Sequence, residues 1–144
     1  MDIITVGVDG SMGAASALEF AVEEAQRRDG TLRVVCVWEP PLLVKPEVVE
    51  NPGLFSIQVE QAEAIVAEAV ARARELRPDT SCGGEVLGGD PGKVLVEEGH
   101  NASLIVVGRR GQRGLVGLIL GSVSRYVADN APCPVTIVPP RARA

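Results

Sequence analysis

The sequence predicts an α/β fold: an open parallel sheet with helices on both faces. Two observations carry this. Short β-branched apolar runs alternate with amphipathic segments, in the order β-α-β-α-β-α-β-α-β. The runs are mostly continuous in apolar character, as in strands covered on both sides. Strict alternation of the two element types implies parallel strands joined by crossover helices. At 144 residues the chain is expected to form one domain, 1–144.

The first run, Ile3-Ile4-Thr5-Val6-Gly7-Val8, ends at Asp9-Gly10-Ser11, where Ser11 suits a helix N-cap. Ala14, Leu18, Ala21, Val22 and Ala25 then recur at helical spacing, with Glu19, Glu23, Glu24, Arg27 and Arg28 turned outward. Asp29-Gly30 stops that helix, and Leu32–Trp38 is the second strand. Residues 39–56 hold Pro40, Pro41, Pro46 and Pro52 and predict a long irregular connection, of the kind that serves as a lid or mobile segment.

Val59, Ala62, Val66, Ala69, Ala73 and Leu76 follow at alternating steps of 3 and 4, a long amphipathic helix. Three of these six positions are Ala and the run is under three heptads, which favours packing on a sheet over a coiled coil. Pro78-Asp79 ends it. Glu85-Val86-Leu87 reads as a short third strand, flanked by Gly83-Gly84 and Gly88-Gly89. Asp90-Pro91 suits a cap and first turn for a helix through Val94, Leu95 and Val96. Ser103–Val107 is the fourth strand. Ser122 opens a helix carrying Val123, Tyr126 and Val127 on one side and ending at Asn130. Val135–Val138 is the last strand, terminated by Pro139-Pro140.

Composition narrows the function classes. The net charge of −5 argues against a general affinity for nucleic acid or acidic membrane. Four aromatic residues are too few for a base-stacking surface. No basic apolar leader and no apolar stretch of ~18 residues is present, so a cytoplasmic protein is expected. Cys36, Cys82 and Cys133 are widely spaced and odd in number, unlike a disulfide framework or zinc site. Cys36 reads as a small strand hydrophobe and Cys82 as either that or an exposed thiol. A single histidine, His100, leaves no Ser-His-Asp arrangement to propose, and it reads as a helix C-terminal residue.

Ligands of parallel sheets sit at the carboxyl ends of the strands, so the residues just after each strand are the informative ones. These are Asp9-Gly10-Ser11, Trp38-Glu39, Gly88-Gly89-Asp90 and everything from Gly108 onward. Five of the chain's 16 glycines fall in Gly108–Gly121. Backbone N–H groups there can approach an anion with no Cβ in the way. The helix start at Ser122 adds unpaired donors and a positive dipole end, and Ser122 and Ser124 add hydroxyls. Arg109, Arg110 and Arg113 concentrate positive charge in an acidic chain. Two readings stand at this point: a phosphate site, or a loop shaped by its glycines with solvated arginines. No G-x-G-x-x-G follows the first strand, and Gly88–Val94 lacks the spacing and the Ser/Thr of a Walker A loop.

The spacing Gly108-x2-Gly111-x9-Gly121-Ser122 resembles that of the universal stress protein family, in its ATP-binding branch, as a single-domain member. The resemblance extends to Val8-Asp9-Gly10-Ser11, Gly89-Asp90-Pro91, Leu104–Gly108 and Ala131-Pro132-Cys133-Pro134-Val135. It implies a Rossmann-like five-stranded sheet of order 3-2-1-4-5, as in the adenine nucleotide alpha hydrolase-like folds. It places Asp9, Gly10 and Ser11 beside a bound ATP, with Asp9 near the ribose or the Mg-bound phosphates. It assigns adenine recognition to the backbone at Val37, and ribose and phosphate contacts to Gly108 and Gly111, with Arg109 and Arg110 between them as candidates for a phosphate contact or for solvent. It also implies that Gly121, Ser122, Val123 and Ser124 bind phosphates at the helix start. Ser103 departs from the Asp often found there in the family, and Arg109-Arg110 is more basic than usual.

The implied function is a nucleotide-dependent regulatory or stress-response protein, with ATP and Mg as ligands. A homodimer through the edge strand 135–138 is also implied. The alternatives are a slow ATP hydrolase and a dimeric member that uses no nucleotide. Asp9 and Glu39 are the only carboxylates expected near the site, and no catalytic residue is assigned.

Overall fold

The structure is a computed structural model and describes residues 1–40, 55–109 and 120–140. Five strands form one sheet: β1 Ile3–Gly7, β2 Thr31–Trp38, β3 Ser81–Gly88, β4 Leu104–Gly108 and β5 Val135–Val138. All pairings are parallel and the order is β3-β2-β1-β4-β5. Among the described residues four helices connect them: α1 Met12–Arg27, α2 Ser56–Leu76, α3 Pro91–Glu98 and α4 Ser122–Asn130. His100 lies in a single 3₁₀ turn, Gly99–Asn101, after α3.

Strand alternation divides the core in two. Ile4, Val6, Leu32, Val34, Cys36, Leu104 and Val106 point to one face and pack under α1 and α2. Val35, Ile105 and Val107 point to the other and pack under α3 and α4, through Leu95 and Val127. The apolar positions predicted on α1 are all buried, and so are Ala62, Val66, Ala69 and Ala73 on α2. Small side chains at these positions let both long helices lie close to the sheet. No described helix is long and apolar enough to cross a membrane.

The caps behave as their chemistry predicts. Ser11 Oγ accepts the Ala14 N–H at 3.2 Å, and Asp90 accepts the Lys93 N–H at 3.0 Å with Pro91 in the first turn. Ser103, the departure noted above, ties β1 to β4. Its Oγ accepts the Ile3 N–H at 3.1 Å and donates to Asp2 at 3.2 Å. Arg33 of β2 binds Glu98 of α3 at 2.9 Å and also Glu85 of β3. The Glu98 hydrogen bond leads in raising its pKa, against a smaller loss from burial.

Strand β3 is longer than the sequence suggests. Gly83 and Gly84 are not breakers before it but members of it, paired with Arg33 and Val34. Glycine within a strand often marks close packing from above. A Cβ on Gly84 would meet Val66 Cγ1 at 2.3 Å and Val70 Cγ2 at 3.0 Å, whereas one on Gly83 meets nothing within 4 Å. Gly84→Ala is therefore expected to destabilise by about 1–3 kcal/mol through overpacking. Gly83→Ala should be neutral or stabilising by under ~1 kcal/mol. Urea denaturation of the two neighbouring variants checks this contrast.

Candidate nucleotide site

The crevice starts where β1 ends. Val8 N–H donates to the Val35 carbonyl at 2.9 Å, the last bond between this strand and β2. In a parallel ladder alternate residues bond to the same neighbour, so Val37 turns its N–H and carbonyl to the same side as Val35. It does so beyond the end of β1. The same holds across the strand. Ile105 and Arg109 face β5, since their N–H groups donate to Pro134 and Val138. Gly108 therefore faces β1, two residues past the last register pair, Val6 with Val106. The main chains of Val37 and Gly108 flank the end of β1 from either side. Here the chain order reverses, with β2 on one side of β1 and β4 on the other, the usual place for a ligand.

The turn after β1 fills the floor. Gly10 has φ +84°, which a side chain would strain. Asp9 Oδ1 accepts the Ser11 N–H at 2.9 Å and so closes the turn that feeds α1. The Asp9 carboxylate also acts on Cys36. Burial, and secondarily the charge of Asp9, push that thiol up to about 11. Among the described residues, no group of three or more His, Cys, Asp or Glu is placed to hold a metal. A carboxylate at Asp9 fits a metal ion that arrives already bound to phosphates.

Gly108 is required for packing as well. A Cβ there would lie 2.8 Å from the carbonyl carbon and oxygen of Gly13 and 3.3 Å from the Ala14 nitrogen. Backbone thus touches backbone where α1 crosses the end of β4. Arg109 follows, held by its N–H to Val138 at 2.9 Å. Its carbonyl accepts the Gly121 N–H at 2.8 Å and lies 2.9 Å from Ser124 Oγ. The two ends of the glycine loop are thereby clasped at their base. Arg110, Gly111 and Arg113 lie outside the described residues.

Helix α4 starts from Gly121 with no side-chain cap, as α2 does from Phe55, whereas α1 and α3 are capped. Of these two uncapped starts, that of α4 is tied to the carboxyl end of β4, through the Gly121 N–H and the Arg109 carbonyl. A helix start of this kind presents its first N–H groups and dipole end to an anion, and Ser122 is exposed. Ser124 is not exposed. It is buried at 2%, and its hydroxyl is directed at the Arg109 and Gly121 carbonyls. The structure gives that hydroxyl the job of holding the loop base.

The chain matches the model of the universal stress protein family over residues 1–139. It belongs to that family. A universal stress protein of Mycobacterium tuberculosis is 39% identical over 135 residues, covering 93% of this chain. The chain spans only 44% of that relative's length. A solved universal stress protein in complex with cAMP is 28% identical, with a TM-score of 0.73, covering 97% of this chain and 98% of its own. Another, from Archaeoglobus fulgidus in complex with dAMP, is 26% identical, with a TM-score of 0.70, covering 95% and 97%.

One feature of this universal stress protein was only half visible in the sequence. The sequence marks Trp38 by its place at a strand end, but not its partner Phe55, since 16 residues separate them in the chain. The two rings lie 5.3 Å apart between centroids, tilted by 43°. Gly88 supplies the other wall of the tryptophan's seat.

Proposed function

We propose that this chain is an adenine-nucleotide-binding regulatory protein, with ATP and its Mg as the working ligand. The observation that carries the proposal is the arrangement at the end of β1. Paired backbone groups of Val37 on one side and Gly108 on the other stand beside an uncapped helix start. An N–H and a carbonyl two bonds apart match the donor–acceptor edge of adenine. Helix N–H groups match phosphate. The relatives with cAMP and dAMP support the choice of base, since adenine and a phosphate are what those two ligands share. Within this reading, Asp9 faces the phosphate–metal end, and Arg109, Arg110 and Gly111 line the phosphates. ATP occupancy biases a partner surface, and the reporting element read at 39–56 lies, over 41–54, outside the described residues. Mass analysis of nucleotide released from the purified protein tests the proposal. Adenine nucleotide at near one per chain is expected; its absence, together with no calorimetric binding of ATP, would reject it.

The edge strand supports a homodimer. All four residues of β5 are half-buried, and among the described residues its ladder is made on one side only, to β4. The N–H groups of Val135 and Ile137 point to the open side, since Pro134 and Val138 bond inward. An open apolar edge tends to be paired. Ile137→Pro removes an outer N–H and leaves the inner ladder intact, so a monomer is expected by light scattering. A persistent dimer would exclude edge pairing.

A further inference from the structure

We propose that Trp38 is a positioning residue for base recognition. Seated on Gly88 and against Phe55, it holds the end of β2 so that the main chain of Val37 can read an adenine ring. The inference rests on the nucleotide reading above and adds to it the device that sets base selectivity.

Trp38 is held through both its backbone and its ring. Its carbonyl accepts the Gly89 N–H at 3.0 Å, the last bond between β2 and β3. Its indole lies across Gly88 so closely that a Cβ there would be 2.9 Å from Cε2 and Cζ2 and 3.0 Å from Nε1. The ring also meets that of Phe55, the residue that starts α2, and packs against the core. This is the chain's only tryptophan. Strand ends open at little free-energy cost unless something holds them. Val37 precedes Trp38 by one residue and has lost β1 as a neighbour, so its order depends on the β3 side. Trp38 supplies that order through both its backbone and its ring. A looser Val37 must be immobilised each time a base docks, which weakens binding.

The phosphate end is held separately. Arg109, Gly121 and Ser124 are bonded to one another and to β5, on the far side of β1. Loss of the indole should therefore act on the base and spare the phosphate. A merely structural role would affect both.

The test compares AMP with ribose 5-phosphate, which keeps the sugar and phosphate and lacks the base, by chemical-shift titration. Trp38→Ala should weaken AMP more than tenfold and change ribose 5-phosphate less than twofold. Gly88→Ala, whose methyl displaces the ring, should follow it. Trp38→Phe, which keeps a flat ring in the seat, should stay within threefold of the unmodified protein for AMP. Should Trp38→Ala fail to fold, Phe55→Ala exposes the ring's outer face and carries the same expectation. Equal losses for both ligands, or no loss for AMP, would overturn the positioning role. Failure of the unmodified protein to bind AMP at all would overturn the nucleotide reading itself, and this inference with it.

Discussion

Gly108→Ala is expected to cost about 1–3 kcal/mol of stability and to abolish nucleotide binding in the fraction that remains folded. The methyl would point at the Gly13 carbonyl, 2.8 Å away, and at the Ala14 nitrogen. Those are main-chain atoms of the first turn of α1, and neither can swing aside as a side chain could. The helix must lift from β4, and Asp9-Gly10-Ser11, which leads into it, must move with it. Stability and binding therefore fall together at this one position. Chemical denaturation and calorimetry on the same sample check it. Gly83→Ala, with nothing to strike, is the matched control.

Asp9→Asn is expected to keep the fold and weaken Mg-ATP by at least about tenfold, about 1.4 kcal/mol. The amide oxygen can still accept the Ser11 N–H that closes the turn, so α1 keeps its start. What is lost is the charge facing a phosphate-bound metal. AMP, which needs no metal, should be affected far less. The same substitution has a second readout. Burial is the main cause of the raised Cys36 pKa and Asp9 the lesser one, so removing the charge should lower it from about 11 while leaving it above 9. The folded state holds this proton more tightly than the unfolded chain does. The resulting stability is full below pH 9 and is lost as pH rises from 9 to about 11. In Asp9→Asn that window should narrow from its upper end. Thiolate absorbance in a Cys82→Ser, Cys133→Ser background follows the titration.

Much of this fold could be read from the chain because its signals are local. Ser11 and Asp90 cap helices through bonds to residues three positions away, and strand alternation sorts the core without reference to anything distant. Strand β3 shows where local signals stop. Gly83 and Gly84 look like breakers until α2 lies over them, and only Val66 and Val70 explain why Gly84 has no side chain. Ser124 is similar. Its place next to a helix start suggested a phosphate ligand, but a hydroxyl next to two inward carbonyls closes the loop base first. Trp38 and Phe55 meet only because both ends of a long connection return to one spot. At the site, Asp9, Val37, Gly108 and Ser122 come from four separate stretches of sequence. No local signal joins those stretches; the family resemblance is what groups them into one site.

Ser122→Pro tests the central claim most directly. Ser122 is the first residue of α4, where proline is well tolerated, and Gly121 before it is already extended, at φ −66° and ψ 163°. The substitution removes one open N–H and one hydroxyl from the helix start without removing a helix bond. Calorimetric titration with AMP and ATP, beside a thermal melt, reads both effects. The melting temperature should hold or rise while affinity for both nucleotides drops about tenfold or more. Undiminished affinity in a folded Ser122→Pro protein would place the phosphates elsewhere and contradict the site described for this chain.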